Sequence, residues 1–144
     1  MLGYLYESQD CSAARALELV GERWSLLILR DAIFRKHTRF SQFRNTLGIA
    51  TNILSKRLEG FVAAGLMERR QHEAAEDQVD YVLTKKALDL KPVIIALTEW
   101  GDKWVSRGPV VFCNERDGEP VSLQLRAHSG AKVPVADVVV RQRR

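Results

Sequence analysis

The run Arg39 to Leu66, RFSQFRNTLGIATNILSKRLEGFVAAGL, decides how this chain folds. Phe40, Phe43 and Leu47 recur at helical spacing and predict one short amphipathic helix, while Leu54, Leu58 and Phe61 predict a second. Gly48-Ile49-Ala50 stands between them, short enough for a tight turn. A short helix, a glycine-containing turn and a longer helix are the parts of a helix-turn-helix, whose second helix lies in a DNA major groove. The second helix is expected to end at Ala63-Ala64-Gly65, where Gly65 suits the left-handed C-terminal cap.

Upstream, Ala14, Leu17 and Val20, then Trp24, Leu27, Ile28 and Ile33, predict two helices between Cys11 and Phe34, punctuated at Gly21. Downstream, Leu66 to Arg70 and the alternating Val79 to Leu83 flank a polar stretch from His72 to Gln78 and read as a two-stranded wing. Thr84 is a good N-cap for a helix striped by Leu90, Val93, Ile94, Leu97, Trp100 and Trp104. Pro92 falls inside that pattern, so either a kink or a break with Pro92 opening a new helix is expected. Gly108-Pro109 marks a boundary, giving a principal domain over 11–107 and a small β-rich extension over 108–144. Strand-like runs in that extension are Val110 to Phe112, Val121 to Leu125 and Val135 to Val140, with turn signals at Asp117-Gly118 and Ser129-Gly130. The fold class is mainly α with small β: a winged helix-turn-helix with a short C-terminal β appendage.

The 144 residues, 46% hydrophobic and 28% charged, are ordinary globular composition and make a two-domain enzyme improbable. Lys and Arg number 22 against 18 acids, a formal charge of +4 and a mild basic bias. Such a bias points to a polyanion only where the charge is concentrated on one surface. Two cysteines, Cys11 and Cys113, are too few for a disulfide framework and fit a reducing, cytoplasmic compartment. The longest apolar runs fall far short of the ~18 residues of a membrane span. The first ten residues carry two acids and no basic segment ahead of an apolar stretch, which argues against a secretory signal. There is no glycine-rich phosphate loop and no His-Glu-x-x-His, and His37, His72 and His128 lack ligand spacing, so neither catalysis nor a cofactor is expected.

The residues themselves resemble the HxlR-type, MarR-like family of bacterial winged-helix transcription regulators. The resemblance lies in Cys11 opening the first helix, Glu22-Arg23-Trp24-Ser25-Leu26-Leu27-Ile28-Leu29-Arg30, and Phe40-Ser41-Gln42-Phe43 followed by Gly48-Ile49, Leu54 and Leu58. It continues through Gly65-Leu66, Tyr81-Val82-Leu83-Thr84, and Leu97 with Trp100-Gly101, over about residues 11 to 105. It implies a homodimer joined by the N- and C-terminal helices, with Leu17, Leu90, Ile94, Leu97 and Trp104 at the interface. Two recognition helices would then meet half-sites of a pseudo-palindromic double-stranded operator about 34 Å apart. Three departures stand out. Ala50 occupies the recognition-helix cap where relatives often carry serine, so the helix start shifts by one residue if Thr51 takes over. The wing carries Glu73, Glu76 and Asp77, which repel phosphate. The extension resembles a ribbon in which cysteine pairs hold zinc in some relatives, but only Cys113 and His128 remain, so no metal is expected.

On the second helix of the motif the buried face turns Thr51, Asn52, Ser55, Lys56 and Arg57 outward. Asn reads adenine, Ser and Thr take base edges or phosphate, and Lys and Arg take guanine or phosphate. The competing reading is a solvated polar helix face. Arg39, Ser41, Gln42 and Arg44 on the preceding helix suit phosphate clamping, and Arg69, Arg70, His72 and Gln78 are the wing's candidates. Arg35, Lys36 and His37 read as a solvated loop, and Trp24 as core. Cys11 sits at a helix N-terminus, where backbone N–H groups favour thiolate, and Arg15 stands one turn on. The resemblance adds redox sensing as its role, and the alternative is a small buried hydrophobe. Two other classes stay open: an interaction module that has lost DNA binding, and a redox-responsive scaffold. An unknown small-molecule effector, bound in a pocket between the long helix and the wing, is a further expectation.

Overall fold

The structure is a computed structural model that describes residues 6–144. The expectation about a secretory signal falls partly on residues 1–5, outside the described residues. No helix among the described residues is long and apolar enough to cross a membrane.

The chain divides into two compact units, Met1–Ile94 and Ile95–Arg144. In the first, α1 (Ser12–Val20) and α2 (Ser25–Phe34) precede α3 (Phe40–Leu47) and α4 (Thr51–Ala63), followed by β1 (Met67–Gln71), β2 (Val79–Leu83) and the single-turn α5 (Lys85–Leu88). Helix α6 (Lys91–Trp104) begins in this unit and ends in the second. Pro92 lies in its first turn, so the striped segment is broken rather than kinked, because a proline N–H would be unsatisfied there in any case.

The helical spacings translate directly into the core. Ile28, Leu29 and Ile33 of α2, Phe43 of α3, Leu54, Leu58 and Phe61 of α4, and Leu66, Met67, Ala87 and Ile94 form one buried cluster. Each fully buried large side chain contributes about 1.5–3 kcal/mol of transfer free energy. Trp24 packs against this cluster only partly buried, at a backbone φ of 80° that is unusual for a residue with a Cβ. Among the buried residues Asp31 is a carboxylate, and it ties α2 to α3. Arg30 Nε donates to its Oδ1 at 2.8 Å, and Thr46 Oγ1 donates to its Oδ2 at 3.0 Å.

Two glycines set the angle and the end of the recognition helix. Gly48 has φ 63° and its N–H donates to the Arg44 carbonyl, reversing the chain between α3 and α4. Gly65 has φ 75°; its N–H meets Val62 at 3.1 Å and the Leu66 N–H meets Phe61 at 2.8 Å, a complete Schellman closure. Lys86 Nζ also donates to the Ala64 carbonyl at 2.7 Å, placing a cation at that helix end. At the base of the wing, Thr84 accepts from the Ala87 N–H and donates through Oγ1 to the Gly65 carbonyl. β1 and β2 pair antiparallel, Met67 opposite Leu83 and Arg70 opposite Asp80, and residue 39 bridges to Asp80 on the outer edge.

The second unit differs from the strand-like runs read in the sequence. Within it, the Leu123 N–H donates to Glu99 of α6. β3 (Leu125–Arg126) and β4 (Lys132–Val133) form a minimal hairpin, and a second tight reversal joins Cys113 to Pro120. The turn signals hold, with Gly118 and Gly130 both at positive φ. Val110 to Phe112 and Val135 to Val140 are not strands; Val135–Asp137 is a turn of 3-10 helix after Pro134. β-branched residues favour strands only where a partner edge and a face to bury exist.

Candidate nucleic-acid interface

Helix α4 presents the polar residues expected of a recognition helix, backed by a face that cannot rotate. Leu54 and Leu58 are fully buried, so Thr51, Asn52 and Lys56 are exposed at the N-terminal half, and Ser55 is half-buried beside them. The helix begins at Thr51 with Ala50 as an N-cap that makes no side-chain hydrogen bond. The start therefore does not shift, and the cap residue's side chain leaves the first-turn N–H groups unsatisfied.

Arg57 is a correction. Expected to face DNA, it instead pairs through Nη1 with Glu22, and its Nε donates to the Arg23 carbonyl at 2.9 Å. It faces the α1–α2 turn because one helical turn from Leu54 and next to Leu58 is the flank of the core face, not the outer face.

On α3, Ser41 and Arg44 are exposed and available. Gln42 is largely spent as a cap: its Oε1 accepts from the backbone N–H groups of Thr38 at 2.9 Å and Arg39 at 3.0 Å. Only its amide donors remain for phosphate. Arg39 is drawn toward the wing, with Nη2 2.6 Å from His72 Nε2 and Nε 4.0 Å from Asp80 Oδ1. In the wing, Arg69 and Gln78 are exposed, while Arg70 is paired with Glu68 at 2.6 Å. Glu73, Glu76 and Asp77 are all exposed.

Sequence reasoning missed Thr38 and Asp80. Thr38 Oγ1 donates to Asp80 Oδ1 at 2.8 Å, and the Tyr81 N–H donates to the Thr38 carbonyl at 2.7 Å, pinning the wing to the start of α3. The two residues are separated by most of the motif, and Asp80 reads in the sequence only as a polar beat in an alternating strand. A cleft of about 180 Å³ beside this junction is lined by Ala32, Lys36, His37, Thr38, Tyr81, Val82 and Leu83. It lies between the end of α2 and the wing, not against the long helix.

Cys11 is exposed and serves as the N-cap of α1, its Sγ accepting from the Ala14 N–H at 3.4 Å. The buried-hydrophobe reading is thereby corrected. Arg15 does not reach the thiol; its guanidinium holds the carbonyls of Tyr6 and Gln9 and the Glu18 carboxylate. Of the expected interface residues, Leu17 is 44% exposed on α1, and Leu97 and Trp104 are 51% and 66% exposed on α6. Ile94 corrects the expectation: it is 3% exposed in its own chain's core, and Leu90 packs against the same cluster. Of the stripe's first members Leu90 and Ile94 face this core, whereas Val93 is exposed.

The model of the HxlR-like helix-turn-helix family matches residues 19–109. An uncharacterised HTH-type transcriptional regulator of Mycobacterium tuberculosis is 42% identical over 141 residues, covering 95% of this chain and 87% of that one. The crystal structure of PA1607, a candidate transcription factor, superposes with a TM-score of 0.84 at 35% identity, over 95% of this chain and 98% of that one. The reduced form of the transcriptional regulator YodB from Bacillus subtilis superposes with a TM-score of 0.57 at 26% identity, over 69% of this chain and 99% of that one.

Proposed function

The chain belongs to the HxlR-like helix-turn-helix family, and from that premise we propose that it regulates transcription in the cytoplasm as a homodimer on a pseudo-palindromic operator. The observation that carries the reading is α4: Thr51, Asn52 and Lys56 exposed on a helix whose opposite face is locked by Leu54, Leu58 and Phe61. Asn52 and Lys56 read bases with Ser55, while Arg44, Ser41 and the uncapped start of α4 hold phosphates. Arg69 and Gln78 extend the contact from the wing. The exposed Leu17, Leu97, Trp100 and Trp104 supply the apolar area that a two-fold partner covers.

Cys11 gives this regulator a redox handle, supported by its exposure and by the likeness to YodB, whose structure is of a reduced form. A non-covalent effector in the cleft beside Thr38 and Tyr81 is the alternative input. The competing reading, an interaction module without DNA binding, draws on Glu73, Glu76 and Asp77 and on the pairing of Arg70 with Glu68. A mobility-shift assay with the DNA upstream of the protein's own gene, repeated across a salt series, separates the two. Sequence-selective binding that weakens linearly in log salt supports the regulator, and no shift at low salt supports the module.

A further inference from the structure

His72 stands where two hydrogen-bond donors converge on one imidazole. Its Nδ1 lies 3.1 Å from the Ala74 backbone N–H, which can only donate, and its Nε2 lies 2.6 Å from Arg39 Nη2, which also can only donate. A neutral imidazole has one acceptor nitrogen and an imidazolium has none. The ring therefore satisfies Ala74 or Arg39, but not both.

Asp80 is the third member of the cluster. Its Oδ1 accepts from Thr38 at 2.8 Å and lies 4.0 Å from Arg39 Nε, and its Oδ2 lies 3.9 Å from His72 Nε2. The carboxylate can thus take either the guanidinium or a protonated Nε2–H as its counter-ion. The other charged or titratable groups on the elements packed here are Arg69 and Arg70 on β1, the latter opposite Asp80 and paired with Glu68, Arg44 on α3, Lys36 and His37 ahead of Thr38, and Glu73, Glu76 and Asp77 in the wing loop. Arg35, in the loop before Thr38, lies 3.7 Å from Asp31.

We propose that His72 and Asp80 hold Arg39 in reserve, and that a second proton on the His72 ring, taken up at Nε2 while Nδ1 keeps its own, frees the guanidinium to take a DNA phosphate. Both are positioning residues that act through Arg39. With Nε2 unprotonated, Arg39 donates to the ring and its charge is matched by Asp80. With both ring nitrogens protonated, donor faces donor and cation faces cation, so the imidazolium turns to Asp80 and displaces Arg39. The Arg39 side chain is 41% exposed at the N-terminus of α3, the helix that precedes the recognition helix. The inference rests on the DNA-binding reading and deepens it.

The sign follows from linkage: the imidazolium form binds DNA more tightly, so binding takes up a proton and affinity falls as pH rises. An imidazolium touching phosphate directly has the same sign, so Arg39 must be varied as well. The experiment measures anisotropy of a labelled, mixed-sequence short duplex against pH and salt for wild type, His72→Gln and Arg39→Gln, with circular dichroism to verify folding. The expected result is an affinity gain of about two- to fivefold per subunit on acidification in wild type, the range of an exposed ion pair, with the salt slope steepening by about one. Both responses vanish in His72→Gln and in Arg39→Gln. A pH response that persists in Arg39→Gln overturns the proposal in favour of direct contact by His72, and a flat wild-type profile overturns the switch. Nitrogen NMR of the His72 ring in the free protein reads the cluster without DNA. If wild type binds no duplex at any pH, the DNA reading fails; if it binds but its ring spectrum is unmoved by Arg39→Gln, only this inference fails.

Discussion

Glu22, in the turn before α2, and Arg57, in the middle of α4, form an ion pair whose side chains are 7% and 18% exposed. The pair fastens the recognition helix to the first two helices. At this burial a guanidinium with two partners is a strut rather than a reader of DNA. Arg57→Ala is expected to lower unfolding free energy by about 1–3 kcal/mol in urea titrations, with DNA affinity of the folded protein changed far less than by Lys56→Ala. Arg57→Lys keeps the charge but loses the fork to the Arg23 carbonyl, and falls between. Lost DNA binding with unchanged stability would return Arg57 to the interface.

The Asp31 carboxylate is buried and holds Thr46 across the α2–α3 contact. Asp31→Ala should cost about 2–4 kcal/mol and Thr46→Val about 1 kcal/mol, read as shifts in thermal unfolding. Because the two side chains share one bond, a double-mutant cycle gives an effect smaller than the sum. Strict additivity would show that the bond contributes nothing.

Base readers and phosphate holders separate by their signatures. Asn52→Ala or Lys56→Ala is expected to cost about 1–3 kcal/mol on a selected operator and to relax preference at one position, while Arg44→Ala weakens every sequence and lowers the salt slope by about one. Unchanged operator binding in both α4 variants would mean that another element reads the bases.

Leu97 and Trp104 are half to two-thirds exposed in the single chain, whereas Ile94 is buried. Leu97→Glu and Trp104→Glu should therefore yield folded monomers by sedimentation equilibrium, and Ile94→Glu should unfold the chain instead. A wild-type protein that is monomeric at tens of micromolar removes the two-half-site model.

Cys11 caps α1 through its sulfur and is open to solvent. Mild diamide or peroxide is expected to change operator affinity in wild type and to leave Cys11→Ser unaffected at fixed salt. The serine variant retains a cap, since a hydroxyl accepts the same N–H. Equal responses from the two proteins would make the thiol a cap and nothing more.

The sequence by itself determined the order of elements and the buried face of each, because period and punctuation are local. Phe40, Phe43 and Leu47 set α3, Leu54, Leu58 and Phe61 set α4, and Gly48 and Gly65 closed both, so the outward residues Thr51, Asn52 and Lys56 followed at once. The tertiary structure alone decided which outward polar groups are free. Arg57 is taken by Glu22 and the Arg23 carbonyl, Gln42 by the backbone at Thr38 and Arg39, and Arg39 by His72 and Asp80. It also decided that Ile94 is spent on its own core while Leu97 and Trp104 are not, and that Val110, Val111, Val135 and Val138 to Val140 stay out of strands. The reason is one of range. Helical and strand periods are written within a few residues, whereas a charge finds its partner, and an apolar stripe its neighbour, only after segments tens of residues apart have been packed together.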